Sequence, residues 1–312
     1  MRYLLSALFA VALSLGAGSA VPAEETVAIK FKAKVGDKAT VVVRRQKSRP
    51  RLQKLGLELT AVITYDVEVT GKTADGYTFL WTPKDVKLEG VPDKMRAELK
   101  RLISASMVPI EFETDGAGVP TKIADREAAL ERALKFLSRS GKPNEKVVAQ
   151  LRSMFTRMDD RTLALVFAKD ASLLARWQQA ELPVGSAVEL EEARANPFGG
   201  GNLSSKVTVR TEPPKNGTAN IAWTVDMDEK QMLTSMIANF KRMAKRLGRD
   251  PKEVDAQLGK AKIVFEESGK ATINIADGWT RAVSFRRIVK LASPEKSRDQ
   301  KEIVEITLKR AP

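Results

Sequence analysis

The sequence predicts an α+β fold: a duplicated antiparallel β-meander, as one curved sheet or two half-barrels, with helices packed on the concave side. Three observations lead there. Short segments that alternate apolar and polar residues recur at hairpin spacing, bounded by Gly, Asp and Asn. Two stretches share one plan, Phe112-Glu-Thr-Asp-Gly116 closing on Ile123-Ala-Asp125 and Phe265-Glu-Glu-Ser-Gly269 closing on Ile275-Ala-Asp277. Each reads as a strand, a turn at its Gly and a second strand. In each half, finally, a hairpin bearing a Trp (Trp81, Trp223) precedes an amphipathic segment.

The first 23 residues read as an export signal. Arg2 supplies the positive end, Leu4 to Leu15 the apolar run, and small residues lead to a cleavage site after Ala23. The run is well short of the roughly 20 residues that span a bilayer. A periplasmic or secreted protein starting near Glu24 is expected, with one half over 24–180 and the other over 181–312.

Composition restricts the chemistry. The chain has no Cys and no His, which removes disulfides, thiol nucleophiles, the commonest general base and the usual zinc ligand. No metal site, cofactor or catalytic residue is expected, and the protein is read as non-enzymatic. The formal charge of +14 suits anionic surfaces as well as plain solubility.

Along the chain, Val27 to Ala33 and Ala39 to Val43 read as strands around a Gly36 turn. Arg44 to Lys54 reads as a basic loop. Its cations Arg44, Arg45, Lys47, Arg49, Arg51 and Lys54 are the candidate anion-binding set, and the absence of aromatics among them argues against nucleic acid. Leu59 to Thr70 and Tyr77 to Trp81 form a long hairpin through Asp75-Gly76. A helix is expected over Pro92 to Met107. After the first shared hairpin, Asp125 is placed as the N-cap of a helix carrying Leu130, Leu134 and Leu137. Two further apolar segments follow, one with Val148, Leu151 and Phe155, and one capped by Asp159-Asp160 and running to Trp177.

From Pro183-Val-Gly185 the plan repeats. Ala187 to Leu190 is a strand, Asn196 to Asn202 a glycine loop, and Ser205 to Thr211 pairs with Thr218 to Val225 through Lys215-Asn-Gly217. Asp228 and Gln231 open a helix in capping-box style. Its stripe of Met232, Met236, Phe240 and Met243 reads as core packing or as an adaptable apolar surface. Trp81, Trp223, Met232, Met236 and Phe240 are the candidate ligand-binding set. Ala282 to Leu291 and Ile303 to Lys309 close the chain. Ser293-Pro-Glu-Lys296 matches a Ser-x-x-Lys pattern, but without its companion motifs it is a coincidence of a Lys-rich chain.

The order Val35-Gly-Asp-Lys38, Tyr65-Asp-Val-Glu-Val69, Asp75-Gly76, Phe112-Glu113, Gly116-Ala-Gly118 and Leu182-Pro-Val-Gly185 resembles a group of secreted bacterial β-meander proteins. These are similar in style to lipoprotein-carrier half-barrels, whose sheet wraps a helix and holds acyl chains. The resemblance implies a periplasmic protein with an apolar cavity and carries over no functional residue.

Two functional readings follow. One is a binding or carrier protein for a lipid or other amphipathic ligand. The other is a structural or interaction protein that lays basic loops on an anionic envelope surface. A tightly packed sheet interior favours the second.

Overall fold

The computed structural model describes residues 25–48, 59–93, 96–97, 109–138, 145–195, 202–246, 248, 250–258, 261–292 and 297–311. The expected signal peptide, the cations Arg49, Arg51 and Lys54, the Ser293 to Lys296 pattern and most of the Pro92 to Met107 and Asn196 to Asn202 segments lie outside these residues.

In chain order the strands of the first part are β1 (Thr26–Ala28), β2 (Lys38–Ser48), β3 (Leu59–Lys72), β4 (Tyr77–Glu89), β5 (Ile110–Thr114) and β6 (Pro120–Ile123). Four helices follow: α1 (Arg126–Ser138), α2 (Glu145–Arg157), α3 (Asp160–Phe167) and α4 (Lys169–Ala175). Then come β7 (Glu181–Pro183), β8 (Ala187–Ala195), β9 (Asn202–Thr211) and β10 (Thr218–Met227). Helices α5 (Glu229–Arg246) and α6 (Lys252–Leu258) precede β11 (Lys262–Asn274), β12 (Thr280–Ala292) and β13 (Ser297–Arg310).

Eleven strands form one antiparallel sheet in the order β6-β5-β4-β3-β2-β13-β12-β11-β10-β9-β8. Among the described residues its edges β6 and β8 do not pair, so the sheet is open. The last strand, β13, fills the position beside β2, and the runs β2 to β6 and β8 to β12 advance across the sheet in the same direction. Alternation sets which face is buried. Val41 and Val43, Val67 and Val69, Phe79 and Trp81, and Val304 and Ile306 are buried, while Glu305, Thr307 and Lys309 between and beyond them are exposed. Helical residues Leu163, Ala164, Leu174, Met232 and Met236 belong to the same buried cluster as that inner face.

Caps fall where the side-chain chemistry places them. Asp125 accepts from the Ala128 N–H, Asp159 from Thr162 and Asp228 from Gln231, at 2.8, 2.8 and 2.9 Å. The segment after Asp159 is not one helix but two, α3 and α4, meeting at Ala168. The strand expected over Val27 to Ala33 shrinks to β1, which pairs only with β7. Beyond it the backbone serves other partners: Ile29 donates to the Ala180 carbonyl and Lys32 to that of Asp277, both at 2.8 Å.

Two further expectations are corrected. Gly116 does sit in a turn between β5 and β6, where Asp115 accepts from Ala117 and Val119. Gly269, its expected counterpart, lies in mid-strand, paired with Trp223 on one side and Phe285 on the other. The indole of Trp223 occupies the space a Cβ would need there, so this glycine answers to packing. The turn comes later, at Gly278, whose φ is +72°. Second, Arg44, Arg45 and Lys47 are not in a loop. Strand β2 runs on to Ser48 because β3 and β13 offer partners along that whole length.

Candidate functional site: an apolar inner face bordered by buried ion pairs

The inner face changes character along the strands. At the end where β12 begins, aromatic rings gather. Phe31, carried there by the segment after β1, meets Tyr77 at 5.5 Å and Trp279 at 5.2 Å between ring centres, while Phe79 stacks on Phe112 at 6.0 Å. The Trp279 indole N–H donates to the Lys32 carbonyl at 3.2 Å, tying this crossing segment to the sheet. Between these rings and α4 lies an apolar cavity of about 30 Å³, bordered by Phe79, Trp81 and Phe112 on the sheet and Ala171, Leu174 and Ala175 on the helix. The alanines leave the gap, since a larger side chain at either position would fill it. That volume holds about one water molecule, so this cavity does not take an acyl chain as it stands.

Toward the other end the same face carries charge. Lys47, Glu302, Arg287 and Glu267 stand directly opposite one another across β2, β13, β12 and β11, a row of alternating sign in which each charge faces its opposite. Helix α4 closes over it: Lys169 reaches Glu302 at 2.9 Å, and Arg45 pairs with Asp170. Arg287 donates to Glu267 through Nε at 2.8 Å, and Arg194 of β8 takes the other oxygen of that carboxylate. Arg176, just past α4, bonds Glu192 at 3.1 Å and lies over the rings of Trp177 and Trp223 at 5.1 and 5.5 Å.

These ten charges comprise six cations and four carboxylates, an excess of basic charge beneath α4. The guanidinium Nε atoms of Arg45 and Arg176 are buried without a hydrogen-bond partner. Burial would raise the Glu302 carboxyl, yet Lys169, Lys47 and Arg45 overcome it and hold that group at about 2. Glu267 behaves alike: burial pushes it up, and Arg287 and Arg194 pull it below the usual range. Asp170 goes the other way, because burial outweighs Arg45. Burial likewise lowers Lys169 and Arg176 against the pull of Glu302 and Glu192 respectively.

The sequence-nominated residues divide. Trp81 borders the apolar cavity; Trp223, Met232 and Met236 are buried elsewhere in the same core, and Phe240 is exposed. Among the described residues the five do not line the same cavity. Of the anion-binding set, Arg44 on the outer face pairs with Glu89 and Glu305, while Arg45 and Lys47 point inward to Asp170 and Glu302. The ion-pair row was missed, although its signal is in the strands. Glu267 follows Ile263 and Phe265, Arg287 follows Val283 and Phe285, and Glu302 precedes Val304 and Ile306, each charge taking the next inward position.

Among the described residues no group of three or more His, Cys, Asp or Glu is placed to hold a metal ion, and no helix is long and apolar enough to cross a membrane. No family model matches the chain, and no curated protein does. The solved structures similar to it include these two. A lipovitellin structure, titled for its lipid–protein interactions, is 10% identical, with a TM-score of 0.44 over 90% of this chain. This chain spans 26% of that one. An outer membrane channel from Pseudomonas putida F1 is 8% identical, with a TM-score of 0.15 over 90% of this chain and 98% of its own. At these scores the functional reading rests on the geometry of the chain itself.

Proposed function

We propose that this is an exported, non-enzymatic binding protein for amphipathic molecules with an acyl tail and an anionic head. One observation carries the reading: the covered face of the sheet is aromatic and apolar at one end and holds a partly buried excess of basic charge next to it. A ligand with the same two-part polarity would bury its tail beside Phe79, Trp81 and Phe112 and bring its head to Arg45 and Arg176, whose Nε atoms make no hydrogen bond, that of Arg45 lying 3.6 Å from Glu302. The cavity is too small for a tail as it stands, so on this reading α4 moves from the sheet to admit one. The proposed internal duplication draws support from the shared direction of β2 to β6 and β8 to β12.

A second reading, an envelope interaction protein with no internal ligand, is favoured by the close packing around that cavity. Titration with a fatty acid brominated along its chain separates the two. Saturable quenching of Trp fluorescence that falls in Trp81→Phe supports the carrier; no saturable quenching supports the second reading.

A further inference from the structure

Helix α5 carries one apolar stripe, and the protein covers only half of it. Met232, Met236, Phe240 and Met243 recur at intervals of four, four and three residues, which keeps them on one side of an α-helix. Met232 and Met236 are 0% and 1% exposed, packed in the core below β11. One turn further on, Phe240 is 38% exposed and Met243 50%. The last turns of the helix therefore carry apolar surface that is only partly covered.

Along the sequence of this segment the charges have a single sign. Between Glu229 and Asp250 there is no acid, whereas Lys230, Lys241, Arg242, Lys245, Arg246 and Arg249 all fall in the interval. Lys241 is paired with Asp255 of α6 at 2.7 Å. Arg242 and Lys245 are exposed, and Arg242 donates to the neutral side chain of Asn239. A protein groove with acidic walls and an anionic bilayer both offer negative charge. The bilayer fits better, because Phe and Met sink among acyl chains without needing a shaped pocket, while Arg and Lys stay at headgroup level.

We propose that the C-terminal half of α5 docks this protein onto anionic lipid bilayers, with Phe240 and Met243 inserted at the interface and Arg242 and Lys245 on the headgroup phosphates. This docking does not depend on an internal ligand, so it stands or falls separately from the carrier reading.

The test is co-flotation of the purified protein with vesicles of phosphatidylcholine alone and of phosphatidylcholine mixed with phosphatidylglycerol. Binding to the mixed vesicles and little to the neutral ones is expected, weakening as salt rises because the attraction is screened. Arg242→Gln with Lys245→Gln should reduce the partition coefficient roughly tenfold or more and flatten its salt dependence. Phe240→Ser with Met243→Ser should reduce it on both vesicle types. Both pairs alter exposed positions, and circular dichroism with thermal melting checks that the fold is kept. Equal flotation of wild type and both variants overturns the proposal. So does a concentration-dependent dimer that the Phe240/Met243 variant loses, seen by sedimentation without any vesicle binding; that result assigns the surface to a second copy of the chain.

Discussion

Trp223 of β10 lies across Gly269 of β11, its direct cross-strand partner, and fills the space where any other residue would place a Cβ. The glycine is therefore a packing requirement of the indole. Gly269→Ala is expected to destabilise the protein by about 1–3 kcal/mol, the usual range for overpacking a filled core. Urea denaturation measures it. Adding Trp223→Leu should give back part of the loss, so the two changes are non-additive.

Glu267 has no exposed side-chain surface and faces both Arg194 and Arg287. Glu267→Gln removes the carboxylate that two guanidiniums share, leaving Arg194 with Glu192 and Arg287 opposite Glu302, at an expected cost of about 2–4 kcal/mol, discounted because both arginines keep some contact with water. Replacing Glu267 and Arg287 together by Met should cost less than the single change. A larger cost for the pair would mean that the row is held by packing of the stems.

Glu302 makes a prediction about acid. Its folded carboxyl is held at about 2 against an ordinary 4.5, so the ionised form favours the folded state. That contribution is fully present above about 4.5 and is lost as the pH falls toward about 2, with Glu267 acting in the same direction. Asp170 opposes them, since burial raises it and acid then favours its folded form. The urea midpoint of the wild type should drop across this window. In Glu302→Gln it should start lower and fall less steeply.

Two glycines with positive φ separate backbone strain from close approach. Gly185 has φ +84° with nothing near its missing Cβ, whereas at Gly278, φ +72°, a Cβ would lie 2.5 Å from the Phe31 Cα. Gly185→Ala is expected to cost about 1 kcal/mol from the left-handed backbone alone. Gly278→Ala should cost clearly more, because it also pushes out the segment that carries Phe31. Equal costs, measured by thermal melting of the two variants, would contradict that tie.

Much of the sheet was legible because half-buried strands alternate and turns need particular residues. Asn216-Gly217, with φ values of +51° and +71°, is such a turn, and Asp125 and Asp228 cap where their side chains dictate. Gly269 misled because glycine signals a turn and a close approach equally, and only the position of Trp223 tells them apart. The basic run misled because Arg45 and Lys47 read as solvated until Asp170 and Glu302, distant in the chain, are brought opposite them. That pairing is a property of register, and no local window contains it. The exposed end of the α5 stripe escaped for the same reason, since periodicity shows a face but not where its cover stops.

The most direct test of the carrier reading is native mass spectrometry of the protein purified without detergent from its own host. An adduct with the mass of an acylated, anionic amphiphile is expected in the wild type. It should be absent from a folded Ala171→Phe variant, in which the aromatic ring occupies the cavity between α4 and the sheet. Bare protein mass alone in the wild type, or an adduct that survives Ala171→Phe unchanged, would contradict the placement of a ligand there.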